Sequence, residues 1–73
     1  MTTWGIIKGW METAHIRGVQ ELAEISGIPY GTLLKRKQVP QEFRAREMRA
    51  IKQATGMSMD DYYHMAEAAG EGR

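Results

Sequence analysis

The chain has 73 residues, with ten Lys plus Arg, nine Asp plus Glu and no cysteine, giving a formal net charge of +1. So short a chain closes one small core, so one domain over residues 1–69 with a short tail is expected, and the missing thiols exclude a disulfide scaffold and a cysteine-ligated zinc site. No apolar run is long enough for a bilayer, and Met1, Thr2, Thr3, Trp4 and Gly5 lack the basic and apolar regions of a signal peptide.

Ala, Met, Glu, Lys, Arg and Gln are common and β-branched residues are scattered, which favours helix. Glycine and proline divide the chain into five helical windows. The first covers residues 3–14, with Trp4, Ile7, Met11 and Ala14 recurring on one face. Thr2 or Thr3 caps its start, while Gly5 and Gly9 each weaken it by about 1 kcal/mol relative to Ala. Residues 15–18 connect to a second helix at 19–26, whose inner face is Val19, Leu22, Ala23 and either Ile25 or Ser26. Gly27 stands where a helix stops in a left-handed conformation. Ile28 re-enters the core, and Pro29 opens the first turn of a third helix that runs to about residue 37. A loop at 37–43 follows, with Val39 and Phe43 as apolar anchors. A fourth helix at 45–55 turns Met48, Ile51 and Ala54 or Thr55 inward, and Gly56 ends it. Ser58-x-x-Asp61 has the form of a capping box and opens a fifth helix at 59–69, with Tyr62, Met65, Ala66 and Ala69 inward. Residues 70–73 form the tail, expected to fray.

The informative segment is 19–36. Two helices joined by a tight turn must touch where they cross. Ala23 is small enough for that contact, Gly27 makes the turn, and Leu22, Ile28 and Leu33 form a wedge that fixes the angle. Gly-Val-Gln-Glu-Leu-Ala-Glu-Ile-Ser-Gly-Ile at 18–28 resembles the helix-turn-helix of bacterial and phage regulators of the Cro/Xre (lambda-repressor-like) group. The segment from Ile51 through Thr55, Gly56, Met57, Ser58, Met59, Asp60 and Asp61 to Tyr62 is similar to the closing part of that fold. The likeness covers residues 6–65. It departs at Val19, where many members carry a phosphate-touching Gln, and at Arg36, where the helix often ends on an apolar residue. That Arg either rotates to solvent or covers the core with its methylene stem.

The resemblance implies an all-α, five-helix domain that binds double-stranded DNA through its third helix. Charge placement supports this. Residues 35–52 hold Lys35, Arg36, Lys37, Arg44, Arg46, Arg49 and Lys52 against Glu42 and Glu47, a local +5, and the remaining residues sum to −4. A basic block beside a recognition helix is the footprint of phosphate contact. The bland alternative is a solvated face laced by Glu42–Arg46 and by Glu47 with Arg46 or Arg49. Tyr30, Gly31, Thr32 and Lys35, with Gln38 in the next loop, are the base-reading candidates. Thr32 has intrahelical back-bonding as its rival role, and Tyr30 has packing. Arg36, Lys37, Arg44, Arg46 and Arg49 are the phosphate-contact candidates.

His15 and His64 are isolated and fit no metal or catalytic spacing, and Asp60 and Asp61 suit a helix start rather than an acid–base pair. No cofactor, no metal site, no small-molecule ligand and no enzymatic activity are expected. Six Met, two Trp and three Tyr exceed what so small a core can hide, so Trp10, Tyr62 and Tyr63 are assigned to a homodimer surface. The expected protein is a cytoplasmic, phage- or mobile-element-type transcription regulator. Two rivals remain: an excisionase-like architectural DNA-binding protein, and a phage inhibitor or adaptor that uses the same scaffold against a protein.

Overall fold

The computed structural model describes residues 2–70. In chain order, α1 is Thr3–Thr13, α2 Val19–Ser26, α3 Tyr30–Gln38, α4 Ala45–Thr55 and α5 Met59–Gly70, with a 3-10 turn at Pro40–Glu42 before α4. No strand occurs among the described residues, and no helix among them is long and apolar enough to cross a membrane. The all-α expectation holds. Of the expected tail, residues 71–73 lie outside the described residues, and Gly70 is the last residue of α5 rather than the first of a tail.

One core binds the helices. Ile6, Ile7 and Met11 of α1 meet Ile16, Leu22, Ile28, Leu33, Phe43, Ile51, Met57, Met65 and Ala69. The expected wedge of Leu22, Ile28 and Leu33 is fully in place, each under 10% exposed. Along α1 the buried side chains are Thr3, Ile6, Ile7 and Met11. Trp4 and Ala14, expected on the inner face, are half-buried at its edge. Thr3 takes an inner place because its hydroxyl is satisfied there: Oγ1 donates to the Met65 carbonyl at 3.2 Å. This bond joins α1 to α5 across almost the whole chain.

Helix ends follow the sequence with specific exceptions. Thr2 Oγ1 accepts from the Gly5 N–H at 3.0 Å and caps α1. Gly27 and Gly56 close α2 and α4 at φ 78° and 74°, where a Cβ is unfavourable. His15 closes α1 at φ 60°, with the Ile16 N–H reaching back to the Met11 carbonyl at 2.8 Å. This is the glycine-type stop made by a histidine, with Met11 and Ile16 on either side of it both buried in the core. Pro29 precedes α3 with extended ψ of 140° instead of lying in its first turn. Between the two α2 alternatives, Ser26 turns in and Ile25 stays 53% exposed. Val39 is also exposed, so Phe43 alone anchors the segment before α4. The Ser58 hydroxyl accepts from the Asp61 N–H at 3.2 Å, but this is half a capping box, because the Asp61 carboxylate turns to Trp10.

Candidate nucleic-acid interface

Helix α3 follows α2 after Gly27, Ile28 and Pro29, and its last turn carries Lys35, Arg36 and Lys37. Leu33 is fully buried, Thr32 and Arg36 are half-buried, and Tyr30, Gly31, Leu34, Lys35 and Gln38 are exposed. Leu33 at the core fixes the rotation of the helix, so residues 31, 34, 35 and 38 share its outer face. Of the base-reading candidates, Gly31, Lys35 and Gln38 therefore stand together. Gln38 is the final residue of α3, not part of the following loop. Tyr30 lies off this face, 48% exposed, in a groove with Gln20, Ala23 and Glu24 of α2. Thr32 faces sideways. Leu34 was missed as a surface residue: it is 38% exposed at one edge of the outer face. Its phase, one residue after Leu33, is the signal that marks it.

The phosphate candidates divide. Arg36 is not a free cation. Its Nε donates to Glu47 Oε1 at 3.0 Å, its Nη2 to Glu47 Oε2 at 3.4 Å, and its Nη1 to Glu42 Oε1 at 3.4 Å. The Arg36 and Glu47 side chains are only 13% and 11% exposed. The bland alternative paired Glu42 with Arg46 and Glu47 with Arg46 or Arg49; both carboxylates instead go to Arg36. The cause is rotation. The core side of α3 presents residue 36 to α4 and to the 3-10 turn, so a long side chain can reach both carboxylates there while its stem packs inward. Glu47 also accepts the Arg44 N–H at 2.9 Å, at the start of α4. Burial alone would raise the Glu47 carboxyl. The hydrogen bonds from Arg36 and the Arg44 N–H, with the charges of Arg36 and Arg44, outweigh it and hold the group below its ordinary value.

Both carboxylates of the basic stretch bond to Arg36, and of its other cations Arg44 still acts on Glu47 through its charge. Lys35, Arg44, Arg46 and Arg49 are exposed, and no ion pair involves them among the described residues. Arg46 lies beside the residues leading into α3, sharing a groove with Gly27, Ile28 and Pro29. Lys37 is exposed, and its ammonium lies 5.6 Å from the centre of the Trp4 ring.

The dimer candidates are not one surface. Trp10 is half-buried, and its indole Nε1 donates to Asp61 Oδ2 at 2.7 Å. His64 Nδ1 lies 3.7 Å from the other oxygen of the same carboxylate. Tyr62 packs against the core. Tyr63 is 59% exposed, with Met59 one turn before it at 53%. With Trp4 and Trp10 both engaged inside the chain, the case for a homodimer rests on Tyr63 and Met59. Among the described residues no group of three or more His, Cys, Asp or Glu side chains is placed to hold a metal ion.

No family model, curated protein or solved structure matches this chain.

Proposed function

We propose that the protein is a sequence-specific, non-enzymatic regulator that binds double-stranded DNA, with α2 and α3 acting as a helix-turn-helix of the lambda-repressor-like type. Helix α3 enters the major groove, where one helix fits. Lys35 and Gln38 carry hydrogen-bonding groups for base edges, Gly31 allows close approach, and Leu34 offers an apolar contact for a thymine methyl. Arg44 and Arg46 take phosphates beside it. The observation that carries this reading is electrostatic: Glu42 and Glu47 both bond to Arg36, so the exposed cations around α3 make no salt bridge among the described residues and stand available to a polyanion.

The test is selection of binding sites from a random duplex pool. One sequence class should be enriched. Lys35→Ala should relax preference at one position, a cost of about 1–3 kcal/mol for the preferred base. Arg46→Ala should weaken all sequences alike. A pool that yields no enriched sequence sinks the proposal. A protein-directed adaptor is the second reading, supported by Ile25, Leu34 and Val39, all exposed on the α2–α3 unit. It expects no salt-sensitive duplex affinity.

A further inference from the structure

Between α1, the connector that follows it and the last turn of α3 lies a groove of about 300 Å³, at the lower end of the volumes that small-ligand sites occupy. Each of these elements brings a cation to it: Lys8, Arg17 and Lys37. All three residues are exposed, and none makes a salt bridge among the described residues. Glu12, one turn from Lys8 on α1, is the one carboxylate in the lining and makes no salt bridge there either. The lining is therefore in excess of positive charge.

Its walls are also apolar. Trp4 and Val19, both half-buried, line the same groove, and the Lys37 ammonium lies 5.6 Å from the centre of the Trp4 ring. An aromatic face and a cation thus stand side by side in one concave space. The ring is a weaker partner for that ammonium than the charge-assisted hydrogen bond an oxyanion supplies. Inorganic phosphate would meet the cations and leave Trp4 and Val19 uncovered, and a neutral aromatic would do the reverse. A flat apolar body that carries a carboxylate meets both, matching the mixture of apolar wall and a few placed polar groups that small-ligand sites use.

We infer that the groove is a binding site for a small aromatic carboxylate of one or two rings: the ring packs on Trp4 and Val19, and the carboxylate lies among Lys8, Arg17 and Lys37. The site draws on α1 and the connector as much as on α3, and it stands whether or not α3 enters a duplex.

The experiment is a proton–nitrogen NMR titration of the full chain with cinnamate, with cinnamamide and inorganic phosphate as comparisons at matched ionic strength. The chain has two tryptophans, so Trp4→Phe assigns both indole signals. Cinnamate should shift the Trp4 signal saturably, with a Kd in the millimolar range expected of so small a ligand. The Trp10 signal, whose N–H is held by Asp61, should stay in place. Cinnamamide and phosphate should each bind more weakly than cinnamate. Lys8→Ala/Arg17→Ala should weaken cinnamate about tenfold, two exposed charge contacts being lost. Arg46→Ala/Arg49→Ala makes the same change in net charge outside the groove and should leave the affinity within about twofold, because salt screens charges at a distance. Far-UV circular dichroism checks that the variants keep their helices. Equal affinity for cinnamate and either comparison compound, equal losses in the two double variants, equal shifts of both indole signals, or no saturable shift overturns the proposal. None of these outcomes touches the DNA-binding reading, which the duplex selection tests separately.

Discussion

Where α1 meets α5, polar side chains point into the seam and find partners there: Thr3 with the Met65 carbonyl, and Trp10 with Asp61. Where α3 meets α4, one guanidinium takes up both neighbouring carboxylates, and the exposed cations Lys35, Arg44, Arg46 and Arg49 have no ion pair among the described residues. Both regions are cemented by buried or half-buried polar contacts. They differ in what is left over. The α1–α5 seam leaves little uncompensated, whereas the α3–α4 junction leaves an excess of one sign. Composition does not set that excess, since the whole chain sums to +1. Its local placement does, with seven cations against two carboxylates in residues 35–52; the fold decides which cation those carboxylates bond.

The largest expected effect breaks the seam's apolar base. Met65→Ala empties a fully buried position and should cost about 2–5 kcal/mol by urea unfolding. In so small a domain this threatens the fold as a whole. Next is the junction. Arg36→Ala leaves the largely buried Glu47 carboxylate without its main partner and should cost about 2 kcal/mol, less than the loss for a fully buried pair. It should also weaken DNA binding, because Glu42 and Glu47 are then free to neutralise Arg44 and Arg46. A direct phosphate contact by Arg36 would instead lower the salt slope with no loss of stability.

Acid sharpens the same point. The Glu47 carboxyl titrates below its ordinary value, held down by its hydrogen bonds from Arg36 and the Arg44 N–H. Its stabilising contribution is therefore complete above the unfolded value and is lost as pH falls through the folded one. Unfolding free energy measured across pH 5 to about 2 should decline less steeply in Glu47→Gln than in the unaltered protein.

Smaller effects probe single contacts. Asp61→Ala removes the acceptor of the Trp10 indole and should cost about 1 kcal/mol. The Trp fluorescence maximum should move while duplex affinity holds, since this contact belongs to the other region. The smallest change has the opposite sign. His15→Gly relieves a left-handed backbone position and should add up to about 1 kcal/mol of stability.

These contacts also mark how far the residues could be read before folding. Helix positions, the Gly27 and Gly56 stops and the wedge of Leu22, Ile28 and Leu33 follow from periodicity and local backbone chemistry, which act over a few residues. The fate of Arg36 does not. By spacing Glu42 is an i,i+4 partner for Arg46, and only the rotation of α3 against α4 brings Arg36 to both Glu42 and Glu47. The same holds for Trp10. Its partner Asp61 is 51 residues away, and an apolar count cannot distinguish a half-buried indole with an internal acceptor from an exposed one.

The central claim is that the exposed cations around α3 serve a duplex. It is tested most directly by titrating the affinity of the selected duplex against salt. Neutralisation of four to six phosphates predicts a slope of log K against log salt of roughly −4 to −5. A slope near zero would contradict the account.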